Sequence, residues 1–479
     1  MILVVDVGTS SARAAVVDAD ARVVVEHRAP LLPDSPAPGL VEFDAAAMAD
    51  AVHDLAQRAL ADGGPVDGVG IANQRASTIV WDRGTGVPVA PAIGWQDLRT
   101  VGRCLVLRAE GLVIAPNLSA TKLEAILDAV DPDRERDLAF GTVDTWVAWN
   151  LSEGALHVID ASNAQVTALR SPANDGWDAT RLGTLRIPER VLPAVVDSTG
   201  VAGAATALPG APPIAGILGD QQASLLGQGC VHAGDAKITF GTGGMLDVVV
   251  GDEHPAFADR SRTGCFPIVT RRRGGRDTWG VEAAMLAAGT NVEWLRDDLH
   301  LITTAEESDA VAASCDDTGD VWYVPALLGL GTPHFDYGAR GTLLGLTRGT
   351  GRAEVVRAVL EGIAHRGADL VDAAVTDTAV VIDALHVDGG MSANTTFVQA
   401  LADATQRVVE VAPVREATML GAAFAAGLAL GVWSGDDEIA ATWRPARRVE
   451  PRAPLDRDRW HEAVARATGW IPELSTIDV

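Results

Sequence analysis

The chain opens with three short apolar, β-branched runs, ILVVDVG, ARAAVVDA and RVVVEHRA, separated by turn residues. This spacing predicts an antiparallel meander. The stretch DAAAMADAVHDLAQRAL then changes to a helical period, which places a helix from Asp44 as N-cap to about Ala61. Strand patterns return in PVDGVGIANQ and STIVWD, and again in APPIAGILGD. Further on, GDAKITFGTGGMLDVVVG repeats the opening motif of strand, Gly/Thr-rich turn and strand. Two such units, near residues 2–18 and 235–250, predict an internal duplication of a β-meander with helices. One stretch, ATMLGAAFAAGLALGVW, is apolar over nearly the length of a membrane span. Its Ala and Gly content and lack of a basic flank favour a buried helix packed closely against other backbone.

At 479 residues the chain is too long for one hydrophobic core. The repeat puts a boundary near residues 228–234, giving an N-terminal domain 1–230 and a C-terminal domain 231–479. No Pro/Ser linker separates them, so they are expected to pack directly with a cleft between them. The formal net charge of −26 argues against nucleic acid or an anionic membrane as partner, since both need a basic face. It also requires any anionic ligand to be held by a local cluster of donors. Lys122 and Lys237 are the only lysines, and nearly all positive charge is Arg; composition alone gives this no functional weight. Cys104, Cys230, Cys265 and Cys315 form no CxxC pair and no zinc spacing, which predicts free thiols in a reducing compartment. With no basic region or cleavage site before the first strand, the expected location is cytoplasmic.

Four stretches carry candidate chemistry. In VVDVGTSSAR, Asp6 ends a strand, and Gly8, Thr9, Ser10 and Ser11 form a donor-rich turn. Such a turn is either an ordinary hairpin or a phosphate cradle, in which Asp6 suits a Mg²⁺ shell and Arg13 a phosphate oxygen. FGTGG, with Thr242, supplies a second turn of the same kind. In HVDGGMSANTTF a strand stops at Gly389-Gly390 and a helix starts near Asn394, where the glycines permit close approach of a nucleotide. In GILGDQQASLLG, Asp220 follows a strand; it can act as a helix N-cap, as a base toward a substrate hydroxyl, or as both. Finally, Arg75 in GIANQRASTIVWD stands at a strand end, where a guanidinium needs an anionic or hydroxylated partner.

Taken in order, DVGTSSAR, NQR, GWQDLRT, GLVIAPNLSATK, FGTVDTWVAWNL, GDQQA, GTG, VEWLRD, GLGTPHFD, ARGTLLGLTRG and VDGG resemble the motifs of the FGGY family of carbohydrate kinases, and within it the glycerol kinases most closely. The resemblance runs from about Ile2 to about Trp470. It implies an α/β architecture of duplicated actin-like (ribonuclease H-like) ATPase domains, with ATP and Mg²⁺ in the interdomain cleft and a small polyol or sugar as second substrate. It places Asp220 on the catalytic base and Asp6, with Asp220, on the metal. Thr9, Ser10, Ser11, Arg13 and Thr242 fall on phosphate contacts; Gly289, Glu293, Gly390 and Asn394 fall on nucleotide-site positions, Glu293 replacing a Gln. Arg75, Trp95, Asp220 and Gln221 fall on the polyol pocket, so the resemblance gives Arg75 a substrate hydroxyl to hold. Three pocket positions depart from the glycerol kinases: Ala76 replaces Glu, Asn117 replaces Tyr and Met245 replaces Phe. These changes imply a roomier pocket and a substrate longer than glycerol, with glycerol itself as the alternative. The loop LPGAPP lacks the Arg that binds fructose 1,6-bisphosphate in some bacterial relatives, which implies no inhibition by that compound. A homodimer or homotetramer is compatible with the family. The competing class is a non-catalytic actin-like nucleotide switch or sugar sensor, which substrate-dependent ADP release would distinguish.

Overall fold

The computed structural model describes residues 1–413 and 417–476. The expected meander is present as strands Ile2–Val7, Ser11–Val17 and Val23–Pro30, each antiparallel to the next. Two further strands, Gly68–Asn73 and Pro213–Gly219, extend the sheet in parallel on the other side of Ile2–Val7. The second half repeats this order. Ala236–Phe240 pairs antiparallel with Gly244–Gly251, which pairs antiparallel with Arg276–Met285. On its other side Ala236–Phe240 is followed in parallel by Ala384–Asp388 and Val408–Val411. Both halves thus have three antiparallel strands continued by two parallel ones around a central first strand, which is the expected duplication.

The two sheets join into a single thirteen-stranded sheet through an added strand, Phe266–Arg273, which meets Thr199–Ala204 at the pair Thr199 and Arg273. The helix expected from Asp44 runs Ala45–Gly63, and the Asp44 carboxylate accepts the N–H groups of Ala46 and Ala47. It covers the face of the first sheet that carries Leu3, Val5 and Val7.

The opposite face, with Ile2 and Val4, is covered by the apolar stretch weighed above as a membrane span. It is a fourteen-residue helix, Ala417–Leu430, and among the described residues no helix is long and apolar enough to cross a membrane. Although it lies late in the second half of the sequence, it packs on strands of the first half. Its small residues are what allow this approach. A Cβ on Gly70 would sit 2.2 Å from the carbonyl oxygen of Ala422, and one on Gly421 would sit 1.8 Å from that of Ala223. The obstacle is backbone in both cases, so no rotamer change can relieve it.

We therefore expect Gly421→Ala to destabilise the protein by at least about 1–3 kcal/mol in urea unfolding, as an overpacked interior does. Gly102, in the helix Val101–Ala109, is exposed and a Cβ there meets nothing within 4 Å. Gly102→Ala should shift stability the other way, by roughly +0.5–1 kcal/mol, through helix propensity alone.

Candidate active site

Both Gly/Thr turns open at strand ends on one side of the sheet. In the first, Gly8 N–H donates to Ser11 O at 2.9 Å, closing a tight hairpin that leaves Ser10 exposed and Thr9 and Ser11 half-buried. Asp6, 2% exposed, lies directly across from Arg13 on the neighbouring strand, and the two side chains pair at 2.5 Å. Burial raises the Asp6 carboxyl to about 6, although Arg13 pulls it the other way. The second turn is braced from behind. Ala288 N–H donates to Thr242 O at 2.8 Å and Gly289 N–H to Gly241 O at 2.9 Å, so Thr242 itself stays exposed. Gly289 begins the helix Gly289–Asp297, from which Glu293 projects exposed.

On the far side, Gly390 opens a short 3₁₀ turn and is exposed. Asn394 caps the helix Thr395–Thr405: its side-chain oxygen accepts from Phe397 N–H at 2.8 Å, and its NH₂ donates to Ser308 Oγ at 3.0 Å. Both ends of that amide are already engaged in holding the loop.

Asp220 is not the N-cap of its helix. Gly219 occupies that position, and Asp220 is the first residue of the helix Asp220–Gly227. Its carboxylate accepts the next N–H, that of Gln221, at 2.8 Å, where the helix N-terminus favours negative charge. Burial raises its pKa while Arg75 opposes the rise. The Asp220 side chain remains 31% exposed, open to the cleft.

Arg75 finds anionic partners in both halves. Its Nη2 donates to Glu282 at 2.6 Å, and its Nε is 3.7 Å from Asp220. Burial would lower its pKa, but Glu282, Asp220 and Asp247 together hold it above its ordinary value, so it is always charged. Trp95, 37% exposed, donates its indole N–H to Thr9 Oγ1 at 3.1 Å and so is tied to the first Gly/Thr turn. Asn117 is exposed and Met245 half-buried. Ala76 departs from expectation. It is 4% exposed with a left-handed backbone (φ 60°), and its carbonyl accepts from Ser119 Oγ at 3.0 Å and Thr78 Oγ1 at 3.2 Å. Its methyl is enclosed by protein, so the expected enlargement of the pocket is not found at this position.

Two groups of positioning contacts have no counterpart in the sequence reading. Beneath the site, Asp160 caps the helix Ala161–Gln165 and accepts from Ser198 Oγ at 2.6 Å. This fixes Ser162, whose Oγ accepts Gly219 N–H at 3.0 Å, and Asn163, which exchanges two side-chain hydrogen bonds with Asn73. One buried turn thus holds the strand ends that lead to Asp220 and to Arg75. The second group is the lysines. Both are fully buried. Lys122 donates to the carbonyls of Trp95 at 3.0 Å and Asn117 at 3.1 Å. Lys237 pairs with Asp247 at 2.9 Å and donates to Gln221 Oε1 at 2.6 Å. In a chain that otherwise uses Arg, the two places that kept Lys are those where a compact, three-donor ammonium fits and a planar guanidinium does not. That rarity was the available signal.

A duplicated strand-turn-strand ATPase fold, with two donor-rich turns and a carboxylate in the cleft between them, defines a phosphotransferase of the actin-like class. The family models agree: the N-terminal domain of the FGGY family of carbohydrate kinases matches residues 1–227 and its C-terminal domain residues 236–430. The chain belongs to this family. It is 44% identical to a glycerol kinase of Aromatoleum aromaticum, covering 98% of this chain and 99% of that one, and 40% identical to glycerol kinase 2 of Thermotoga maritima, covering 98% and 99%. Among solved structures, the glycerol kinase of Plasmodium falciparum with ADP superposes with a TM-score of 0.91 at 26% identity, covering 100% of this chain and 99% of that one. A xylulose kinase of Rhodospirillum rubrum shares the fold, with a TM-score of 0.84 at 22% identity over 97% of each chain. The protein is therefore a carbohydrate kinase, a phosphotransferase with an alcohol group as acceptor, and ATP use follows from the family.

Lys122 gives this region a pH signature. Burial pushes its ammonium down to about 7, and a neutral amine still has two N–H donors for its two carbonyls. Between about pH 7 and its ordinary value of 10.5 the unfolded chain holds a proton that the folded one has released, so stability rises with pH across that window. Relative to Lys122→Met, wild-type unfolding free energy should climb by up to about 1.4 kcal/mol per pH unit there. A constant difference between pH 7 and 10 would refute the assignment.

Proposed function

We propose that this chain is a glycerol kinase, transferring the γ-phosphoryl group of ATP to a terminal hydroxyl of glycerol to give glycerol 3-phosphate. The observation that carries this reading is the near-full-length identity of 40–44% to proteins named glycerol kinase, together with Arg75, Trp95, Asp220 and Gln221 at the pocket positions. The substitutions at Ala76, Asn117 and Met245 point to a longer polyol, but the buried Ala76 adds no open space to that argument.

In this reading Arg75 donates to one substrate hydroxyl and orients the acceptor, and Asp220 accepts the proton of the attacking hydroxyl. Its raised pKa brings it closer to the operating pH than an ordinary Asp. The backbone N–H groups and hydroxyls of Thr9, Ser10, Ser11 and Thr242, with Arg13, grip the phosphates from both halves. Gly289, Glu293, Gly390 and Asn394 form the nucleoside side. The oxygen ligands Asp6 and Asp220 suit a hard cation, and two carboxylates with phosphates and water are an ordinary Mg²⁺ set. When bound, Mg²⁺ neutralises charge on the β- and γ-phosphates. Asp6 must be ionised to hold it, so Mg²⁺ affinity should weaken as pH falls through about 6. We place the two domains at 1–230 and 231–479, with the helix Ala417–Leu430 reaching back onto the first.

The test is kcat/KM, by coupled ADP release, for glycerol against erythritol, threitol, pentitols, ribulose and xylulose. Glycerol should rank first and reach about 10⁴ M⁻¹s⁻¹ or more; a four- or five-carbon compound ranking first would return the reading to a longer substrate. Asp220→Asn should retain ATP binding and lose about 10²–10⁴-fold in kcat. Turnover near wild type in that variant would remove Asp220 from the mechanism.

A further inference from the structure

Three charged residues of the second half lie side by side across its sheet. Lys237 is directly opposite Asp247 on the neighbouring strand, and Asp247 is directly opposite Glu282 on the next. Lys237 and Asp247 are 0% exposed, in strands that are otherwise apolar except for Thr239, whose Oγ1 accepts from Lys237 at 3.1 Å. Both ends of the row reach into the first half. Glu282 takes Arg75 at 2.6 Å, and Lys237 donates to Gln221 Oε1 at 2.6 Å. Since Arg75 also approaches Asp220, next to Gln221 in the chain, the contacts close into a ring under the catalytic carboxylate.

The cost of this arrangement points to a use. Two carboxylates directly opposite each other on adjacent strands repel. Burial, reinforced by Asp247 and opposed by Arg75, raises Glu282 to about 7. Lys237 lies 2.9 Å from one Asp247 oxygen, and both side chains are fully buried with Glu282 on the other side of Asp247. A well-packed apolar pair would hold the sheet together at less expense. What an apolar pair cannot do is orient the pocket. By taking Gln221 Oε1, Lys237 turns the Gln221 NH₂ away from itself as a free donor; by taking Arg75 Nη2, Glu282 holds the guanidinium edge beside Asp220.

We propose that Lys237, Asp247 and Glu282 are positioning residues of the polyol site, a row through which the second half sets Gln221 and Arg75 as a pair of hydroxyl-directed donors flanking Asp220. This rests on reading the site as a polyol site. A triol or longer polyol suits such a pair: two adjacent hydroxyl oxygens accept from Arg75 and Gln221 while a third hydroxyl donates to Asp220.

The test measures KM for glycerol and for ATP, kcat and melting temperature in Asp247→Asn, Glu282→Gln, Lys237→Met and the double variant Lys237→Met/Asp247→Leu. Each single variant should raise glycerol KM by about 10-fold or more, the size expected from misplacing one hydrogen bond to a charged group, with ATP KM changed less than about threefold. The double variant, with an apolar pair restored, should recover melting temperature but not glycerol KM. Recovery of both would reduce the row to sheet packing and overturn the proposal, as would folded single variants with unchanged glycerol KM. If the wild type phosphorylates another polyol instead of glycerol, the glycerol reading fails on that result alone, and the same comparison on that polyol's KM decides the role of the row.

Discussion

A guanidinium buried at the floor of a cleft sets the terms for everything around it. Arg75 sits in a long strand-end side chain with 13% of its surface exposed, and it is tolerated there because carboxylates from both halves of the chain meet it. Removing both would leave an uncompensated charge in a poorly hydrated place, a change that typically costs about 3–5 kcal/mol in buried pairs. The two halves are therefore fitted to each other around one cation. That cation also lies 3.7 Å from Asp220, the carboxylate to which we assign the acceptor proton.

The duplication makes the division of labour visible. Both halves present a strand, a Gly/Thr turn and a strand, but they use the space beneath the turn differently. In the first half the strand end carries Asp6, paired with Arg13, an arrangement suited to metal and phosphate. In the second, the corresponding sheet face carries the Lys237–Asp247–Glu282 row, whose ends contact Gln221 and Arg75 of the first half. The helix Ala417–Leu430 crosses back to seal the first sheet, so the first half's core is completed by sequence from the second.

Much of this was legible in the sequence. The meander, the Asp44-capped helix, the second hairpin and the strand-to-helix step at Asn394 all follow local patterns, and the structure has each of them. Asp6, Arg75 and Asp220, from three separate stretches, do lie close enough to act on one another electrostatically. What local pattern does not carry is partnership at long range. Glu282 is 207 positions from Arg75, and nothing near either residue announces the other. The helix at 417–430 was readable as buried, but not as belonging to the first sheet, because the small residues that permit its approach have no sequence-level address. Ala76 shows the converse case: a missing carboxylate reads as open volume, yet the residue is 4% exposed. Asp220 reads as a cap, a base or both, and the structure gives the cap to Gly219, with Asp220 the first residue of the helix.

The most direct measurement is a crystal structure of the protein with glycerol and a non-hydrolysable ATP analogue. The account requires a terminal hydroxyl oxygen within about 2.6–3.2 Å of the Asp220 carboxylate, in line with the γ-phosphate, and a neighbouring hydroxyl on Arg75 with Arg75 still paired to Glu282. Glycerol bound elsewhere, or an Arg75 that leaves Glu282 to reach the substrate, would contradict it.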